Sequence, residues 1–161
     1  MASPLPDPQG IFNQVAGSMY ISLIDFLCGF EQVWILLEHV VQTAVTTPDG
    51  NIISHVIQIG NCNTLATFQA LMNHLFSLYM RVFMDIYIDD LVIYFQMIED
   101  HFKHIKLILD ILKQERFYLN PEKLHFLVQE VKLLDHFVCY NGIQLDPAKV
   151  DSVMNWKVPT N

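Results

Sequence analysis

The stretch Phe83-Met84-Asp85-Ile86-Tyr87-Ile88-Asp89-Asp90-Leu91-Val92-Ile93-Tyr94-Phe95 constrains the fold more than any other part of the chain. It is β-branched, aromatic or otherwise apolar except at three acids, two of them adjacent. Strands of that composition are buried, and an ionised carboxylate buried without a partner is very costly. The pair Asp89-Asp90 therefore sits at a solvent-facing turn or holds a cation. Asp is a common turn residue, so a plain hairpin satisfies the pattern on its own. Either way, residues 82–95 read as strand, turn, strand.

The remaining pattern supplies partners for that hairpin. Residues 19–25 are rich in β-formers and end at Asp25, so they form a strand that Cys28-Gly29 breaks. Residues 32–37 read as a second short strand. Thr43–Thr47 and Asn51–Ile57 flank Pro48-Asp49-Gly50, a turn signal that makes them a hairpin. From Thr64 the period changes: Phe68, Leu71, Met72, Leu75, Phe76 and Tyr79 recur at three and four, with Asn63 or Thr64 as N-cap. Ile98, Phe102, Ile105, Leu109 and Leu112 predict a second helix over 97–116, with Glu99 and Lys103 paired on its other side. Asn120-Pro121 opens a short turn, and residues 124–128 and 131–140 read as strands. Asn141-Gly142 turns the chain into Ile143–Leu145. Asp146 as N-cap and Pro147 at the first helical position open a last helix, with Val150, Val153 and Met154 inward. The first ten residues, with Pro4, Pro6 and Pro8, read as extended. Mixed strands and helices without a regular βαβ alternation predict an α+β fold with an antiparallel sheet.

The length of 161 residues fits one domain, and 52% hydrophobic content excludes a disordered chain. No run is apolar and long enough to span a membrane, and the N-terminus has neither the basic nor the apolar region of a signal peptide. Cys28, Cys62 and Cys139 are too few and too scattered for a disulfide framework or a Cys-x-x-Cys zinc site, which fits a reducing, intracellular setting. The net charge is −8, and residues 1–80 hold no Lys or Arg against Asp7, Asp25, Glu31, Glu38 and Asp49. A nucleic-acid binder normally carries a basic face. The basic cluster here, Lys103, Lys106, Lys113, Arg116 and Lys123, reads first as a solvated helix face. His101 and His104 have a spacing that can bind zinc, but no third ligand is evident.

Tyr87-Ile88-Asp89-Asp90 between apolar strands resembles the Tyr-x-Asp-Asp motif of reverse transcriptases. Other segments agree in order. Pro4-Leu5-Pro6 resembles the proline segment that leads into the fingers–palm junction. Ser22-Leu23-Ile24-Asp25-Phe26 resembles the motif of the first catalytic Asp, followed by Gly29-Phe30-Glu31-Gln32 as Gly-aromatic-x-Gln. Thr43–Gly50, Ala66–Asn73, His101–Leu112, Leu119–Phe126, Gly142–Pro147 and Val150–Trp156 with Pro159-Thr160-Asn161 continue the likeness over about residues 4–161. It is nearest to LTR retrotransposons of the gypsy type, with wording around Glu31, Pro48-Asp49-Gly50 and Asn155-Trp156-Lys157 that is similar to fungal members.

The resemblance implies a reverse-transcriptase palm, an antiparallel sheet backed by helices, with part of the fingers over residues 19–145. Residues 1–18 lead in, and 146–161 begin the thumb or connection. It implies a fragment of a Pol polyprotein whose ancestral reaction adds deoxynucleotides to a primer on an RNA or DNA template. Asp25, Asp89 and Asp90 would be catalytic and would hold two Mg²⁺ or Mn²⁺ ions about 3.5–4 Å apart. Carboxylates suit Mg²⁺, a hard ion that takes oxygen ligands. Phe26 (through its carbonyl), Phe30 (as a wall against a ribose 2′-hydroxyl), Gln58, Gly60 and Tyr87 would meet substrate. The implied partners are template-primer, deoxynucleoside triphosphate and other Pol segments, with no membrane; the implied location is cytoplasmic element particles with nuclear access.

Several positions depart from the family pattern. Leu23, Trp34 and Gln42 stand where basic residues are common, Ile59 and Leu65 replace pocket and helix-start residues, and Leu134-Asp135 replaces Leu-Gly. A second reading is therefore a catalytically inert remnant acting at most as a protein-interaction module. On either reading the three acids repel one another, no Lys or Arg precedes Arg81 to relieve them, and Asp25→Asn is expected to raise stability without metal.

Overall fold

The computed structural model describes residues 6–61 and 63–156. The expectations at Pro4, Leu5, Cys62, Lys157 and Pro159-Thr160-Asn161 lie outside them. The first element of the described residues is a helix, so residues 8–10 are not extended as expected: Asp7 accepts from Gln9 N–H and Pro8 takes the first position of α1 (Pro8–Val15). β1 (Tyr20–Asp25) follows, then a 3₁₀ turn at Gly29–Gln32. The expected strand at 32–37 is only a single bridge between Trp34 and Val56, and α2 (Leu37–Val40) begins at its end. β2 (Val45–Thr47) and β3 (Gly50–Ile52) form the hairpin around Pro48-Asp49. α3 (Thr64–Phe76) starts without a side-chain cap: Asn63 has φ 68°, and only its carbonyl takes part, accepting the Thr67 N–H.

β4 (Met84–Tyr87) and β5 (Asp90–Phe95) are the acid-bearing hairpin, and α4 (Ile98–Gln114) is the long helix. Its buried stripe is His101, Ile105, Ile108 and Leu112; Ile105 and Leu112 are buried and Leu109 packs against the core as expected, whereas Phe102 is exposed and His101 takes the inward place. Lys103 pairs with Asp100 at 2.7 Å and not with Glu99. A 3₁₀ turn at Pro121–Lys123, capped by Asn120, leads to β6 (His125–Val128). Residues 131–140 are two strands, β7 (Glu130–Leu133) and β8 (His136–Cys139), because Leu134 and Asp135 both take positive φ and close a two-residue turn. β9 (Gly142–Leu145) completes that sheet, and α5 (Pro147–Met154) is capped by Asp146 as expected. Val150, Val153 and Met154 are exposed, not inward.

The central sheet has the order β4-β5-β1-β6, all antiparallel. Strand alternation gives it two faces. Ile24, Met84, Ile86, Leu91 and Ile93 pack against Phe68, Met72 and Phe76 of α3 and Ile105, Ile108 and Leu112 of α4. Ile21, Leu23, Val92 and Tyr94 pack against Ile11, Phe12 and Val15 of α1 and Val131, Leu133 and Val138 of the three-stranded sheet. Polar side chains enter these cores with partners. Ser22 Oγ and His101 Nε2 are hydrogen-bonded at 2.8 Å, and Ser22 Oγ also accepts the Leu127 N–H where the β1–β6 register shifts. Asp85 is buried with Tyr94 Oη 2.8 Å from its Oδ2; burial pushes its carboxyl up, and the tyrosine hydrogen bond pulls it back.

Candidate active site

The register brings the three acids to one rim. Asp25 is the cross-strand partner of Asp90, and Asp90 is the partner of Tyr87. Tyr87, Asp90 and Asp25 thus form one row across three strands, on the face that also carries Leu23 and Val92. Ile88 and Asp89 are the two central residues of the β4–β5 turn. Asp89 Oδ1 is buried and has no hydrogen-bond partner among the described residues. Its carboxyl is pushed up to about 6, first by burial and then by the charges of Asp25 and Asp90, with Lys123 pulling it down. Asp90 is raised for the same reasons, burial first and Asp25 second.

Lys123 is the residue that sequence reasoning missed. Its ammonium lies 3.2 Å from Asp25 Oδ2, although it was expected on a solvated surface. Asn120-Pro121 sets a 3₁₀ turn whose third residue is Lys123, and the tertiary bond from Asn120 N–H to the Asp25 carbonyl at 3.0 Å brings that turn to the acid. Gln32 was also unassigned. Its amide donates to the Leu27 and Tyr118 carbonyls and accepts the Tyr118 N–H at 2.7 Å, so it pins the loop after Asp25 to the chain before that turn. Gly29 touches the acids: a Cβ there would stand 3.0 Å from Asp89 Oδ1 and 3.0 Å from Phe26 Cβ.

The other expected substrate residues are divided. Phe30 is buried edge-on against Phe68, and it shares an open cleft of about 430 Å³ with Cys28, Glu31, Gln58 and Ile59. Gly60 follows on the same turn with φ 103°. The Phe26 ring is core, edge-on to Phe68 and Phe117. Backbone bonds from the residues on either side of it run to the 118–120 segment, so its own carbonyl points away, toward β5. Tyr87 packs on the opposite face of the sheet from Phe68. His101 and His104 make no metal site: His101 Nε2 is engaged by Ser22, and His104 stacks on Phe83 at 3.8 Å.

Among the described residues, no three His, Cys, Asp or Glu side chains are arranged around a common metal position. Asp25 is turned to Lys123 in this arrangement. The chemistry of the donor set nonetheless fits a hard cation: neighbouring carboxylates, two with raised affinity for protons, and one buried oxygen without a partner.

Residues 2–138 match the family profile described as reverse transcriptase (RNA-dependent DNA polymerase). The chain belongs to the reverse transcriptase family. Curated relatives include the Retrovirus-related Pol polyproteins from transposons opus (27% identical over 98% of this chain) and 297 (29% over 98%) of Drosophila melanogaster. The Transposon Tf2-3 polyprotein of Schizosaccharomyces pombe is 24% identical over 98% of the chain. The chain spans only 16%, 15% and 12% of those three proteins. Among solved structures, foamy viral protease-reverse transcriptase in complex with RNA/DNA hybrid superposes with TM-score 0.86 at 22% identity, over 99% of this chain and 21% of that one. The dRH form with ds DNA gives TM-score 0.88 at 22% identity, over 99% and 28%. The mixed α and β architecture with its antiparallel sheet is thus the reverse transcriptase palm fold. Among the described residues no helix is long and apolar enough to cross a membrane.

Proposed function

We propose that this chain is the palm, with part of the fingers, of the reverse transcriptase in a Pol polyprotein of a gypsy-type LTR retrotransposon of fungal origin. Residues 1–18 lead in, 19–145 form the palm with partial fingers, and 146–161 begin the thumb or connection. The reaction is templated addition of deoxynucleotides to a primer. The observation that carries this reading is the row Tyr87-Asp90-Asp25 with Asp89 at the adjoining turn, its Oδ1 buried and unpartnered. A fold that only needed a hairpin would not collect three mutually repelling carboxylates at one rim.

Asp25, Asp89 and Asp90 would hold two Mg²⁺ or Mn²⁺ ions, which would supply the charge that activates a primer 3′-hydroxyl and stabilises leaving pyrophosphate. The chain's own residues orient the reactants. Gln32 and the Asn120 turn fix the loop after Asp25, and Phe30 with Gln58 walls the cleft beside it for the incoming sugar. Gly60 and the Phe26 carbonyl would meet the same substrate. Phosphate grip on template-primer comes from basic residues, here confined to Arg81 and beyond, and from other Pol segments. Such a protein works inside the cell, in cytoplasmic particles with access to the nucleus.

One observation favours the inert-remnant reading. The cleft lined by Phe30 and Gln58 holds Glu31 and the exposed Ile59 but, among the described residues, no cation, where a triphosphate needs positive charge. Primer extension separates the two. The chain joined to its flanking Pol segments is expected to extend a primed RNA template with Mg²⁺ or Mn²⁺, and Asp89→Asn is expected to abolish this. The isolated chain is expected to be inactive. Failure of the joined protein, with its acids intact, overturns the polymerase reading.

A further inference from the structure

The turn that carries Asp89 is built on a residue unsuited to it. Tyr87 pairs with Asp90, so Ile88 and Asp89 are a two-residue loop, and Ile88 alone of the two has positive φ, 56°. Positive φ at the first central position alone is the sign pattern of a type II′ turn, where that position is normally Gly. A β-branched residue there is a genuine outlier that persists only where its surroundings over-determine it. The determinant is Gln69 of α3, wholly buried. Its Oε1 accepts the Ile88 N–H at 2.9 Å, and its Nε2 donates to the Ile86 carbonyl at 3.2 Å and to Asn73 Oδ1 at 2.9 Å. The amide thus grips the hairpin on both sides of Tyr87, one bond inside the strand and one inside the turn. The next residue is Asp89, whose Oδ1 sits where Gly29 leaves space.

We propose that Gln69 is a positioning residue for the acid cluster: its amide holds Ile88 in the left-handed conformation and so sets the Asp89 carboxylate against Gly29, beside Asp25 and Asp90. The proposal rests on the metal-binding reading of those acids. Gln69 touches no substrate; it acts through the turn. An apolar side chain of similar size at 69 would fill the core but release the turn. Gly at 88 adopts positive φ without help, so it would make the amide dispensable.

The test is a double-mutant cycle on the full chain: wild type, Gln69→Leu, Ile88→Gly and the double variant. Each is titrated with Mn²⁺ alone by electron paramagnetic resonance and melted in EDTA. Gln69→Leu is expected to weaken Mn²⁺ binding by about ten-fold, the usual effect of losing an outer-shell support. Ile88→Gly alone should keep wild-type affinity, and the double variant should recover to within about two-fold of it. Wild-type affinity in Gln69→Leu, or a loss that Ile88→Gly does not restore, overturns the proposal. If Gln69→Leu does not fold, a folded double variant that binds Mn²⁺ supports it, and a double variant that fails to fold or bind overturns it. If wild type itself binds no Mn²⁺, the metal reading fails and the melts decide the clamp. A melting-temperature loss from Gln69→Leu that is halved or better on the Ile88→Gly background supports it, and equal losses overturn it.

Discussion

Lys123 Nζ stands 3.2 Å from Asp25 Oδ2, and this ion pair joins the first acid to a turn far along the chain. Lys123 is largely exposed, whereas Asp25 is largely covered. The ammonium sits beside carboxylates that would otherwise repel one another, and it opposes the upward shifts of Asp89 and Asp90. Lys123→Met should therefore lower stability in EDTA by about 1 kcal/mol or less, the range of partly exposed pairs. In a chain of this size that is about 2–4 °C. The same change leaves the rim more negative, so Mn²⁺ should bind more tightly. Melting and Mn²⁺ titration check both halves; weaker Mn²⁺ binding in Lys123→Met would show that the lysine does not compete at the rim.

Relief of repulsion should come from a different acid than the sequence pointed to. Asp25 has a cation partner, whereas Asp89 has an orphaned oxygen and a carboxyl raised to about 6. Asp89→Asn should raise the melting temperature in EDTA at pH 7.5 and remove the stabilisation by Mn²⁺. Asp25→Asn should leave the EDTA value unchanged or lower, because it strands Lys123. Calorimetry on both variants, with and without Mn²⁺, measures this, and a gain for Asp25→Asn alone would reverse the assignment.

Much of this arrangement was legible in the sequence because it rests on local signals. The alternation of β1 and β5 fixes which face Asp25 and Asp90 share, and the acid pair inside an apolar run marks the turn between β4 and β5. What escaped was mostly a competition between signals. Three prolines suggested an extended start, yet Asp7-Pro8 is the same cap and first-turn pair that correctly placed α5 at Asp146-Pro147. On α4 only Phe102 was misplaced, because the neighbouring His101 is buried on Ser22, a pairing with no local trace. Leu134-Asp135 lacks the Gly that usually announces a turn with two positive φ values, so β7 and β8 read as one strand. Lys123 and Gln69 reach the acids only through tertiary contacts, and spacing carries no information about those.

Gly29 gives a prediction about close approach. Its backbone lies where a Cβ would meet Asp89 Oδ1 and Phe26 Cβ at 3.0 Å and the Phe68 ring at 3.2 Å. Its φ is not the reason for glycine here; space is. Gly29→Ala forces the acid turn or the Phe26–Phe68 pair to move, an overpacking cost of about 1–3 kcal/mol. Because Asp89 is the most movable of the three neighbours, Mn²⁺ binding should weaken along with stability. Urea melts and Mn²⁺ titration test it, and full retention of both would mean that the turn yields freely.

Two groups with large shifts titrate in opposite senses over one interval and set the pH dependence of stability, with Asp85 and Asp90 adding to the acid's sense and His104 to the histidine's. His101 is wholly buried, with Nε2 bonded to Ser22 Oγ and Nδ1 unpartnered. Burial, and then the neighbouring His104, hold its pKa down at about 4, against an ordinary 6.5. The unfolded chain therefore takes up its proton first, and stability falls as pH drops from 6.5 toward 4. Asp89 does the reverse. Its folded pKa of about 6 lies above the ordinary 3.8, so the folded chain takes up the proton first and stability rises as pH drops from about 6 toward 4. In EDTA the wild type should show a shallow profile across this window, the two slopes opposing each other. Asp89→Asn should unmask the histidine and lose stability on acidification, by at most about 1.4 kcal/mol per pH unit. His101→Gln keeps a hydrogen-bonding partner for Ser22 and should leave the opposite slope, gaining stability as pH falls. Urea unfolding of the three proteins between pH 7.5 and 4 measures the slopes, and parallel profiles for both variants would show that neither group governs the window.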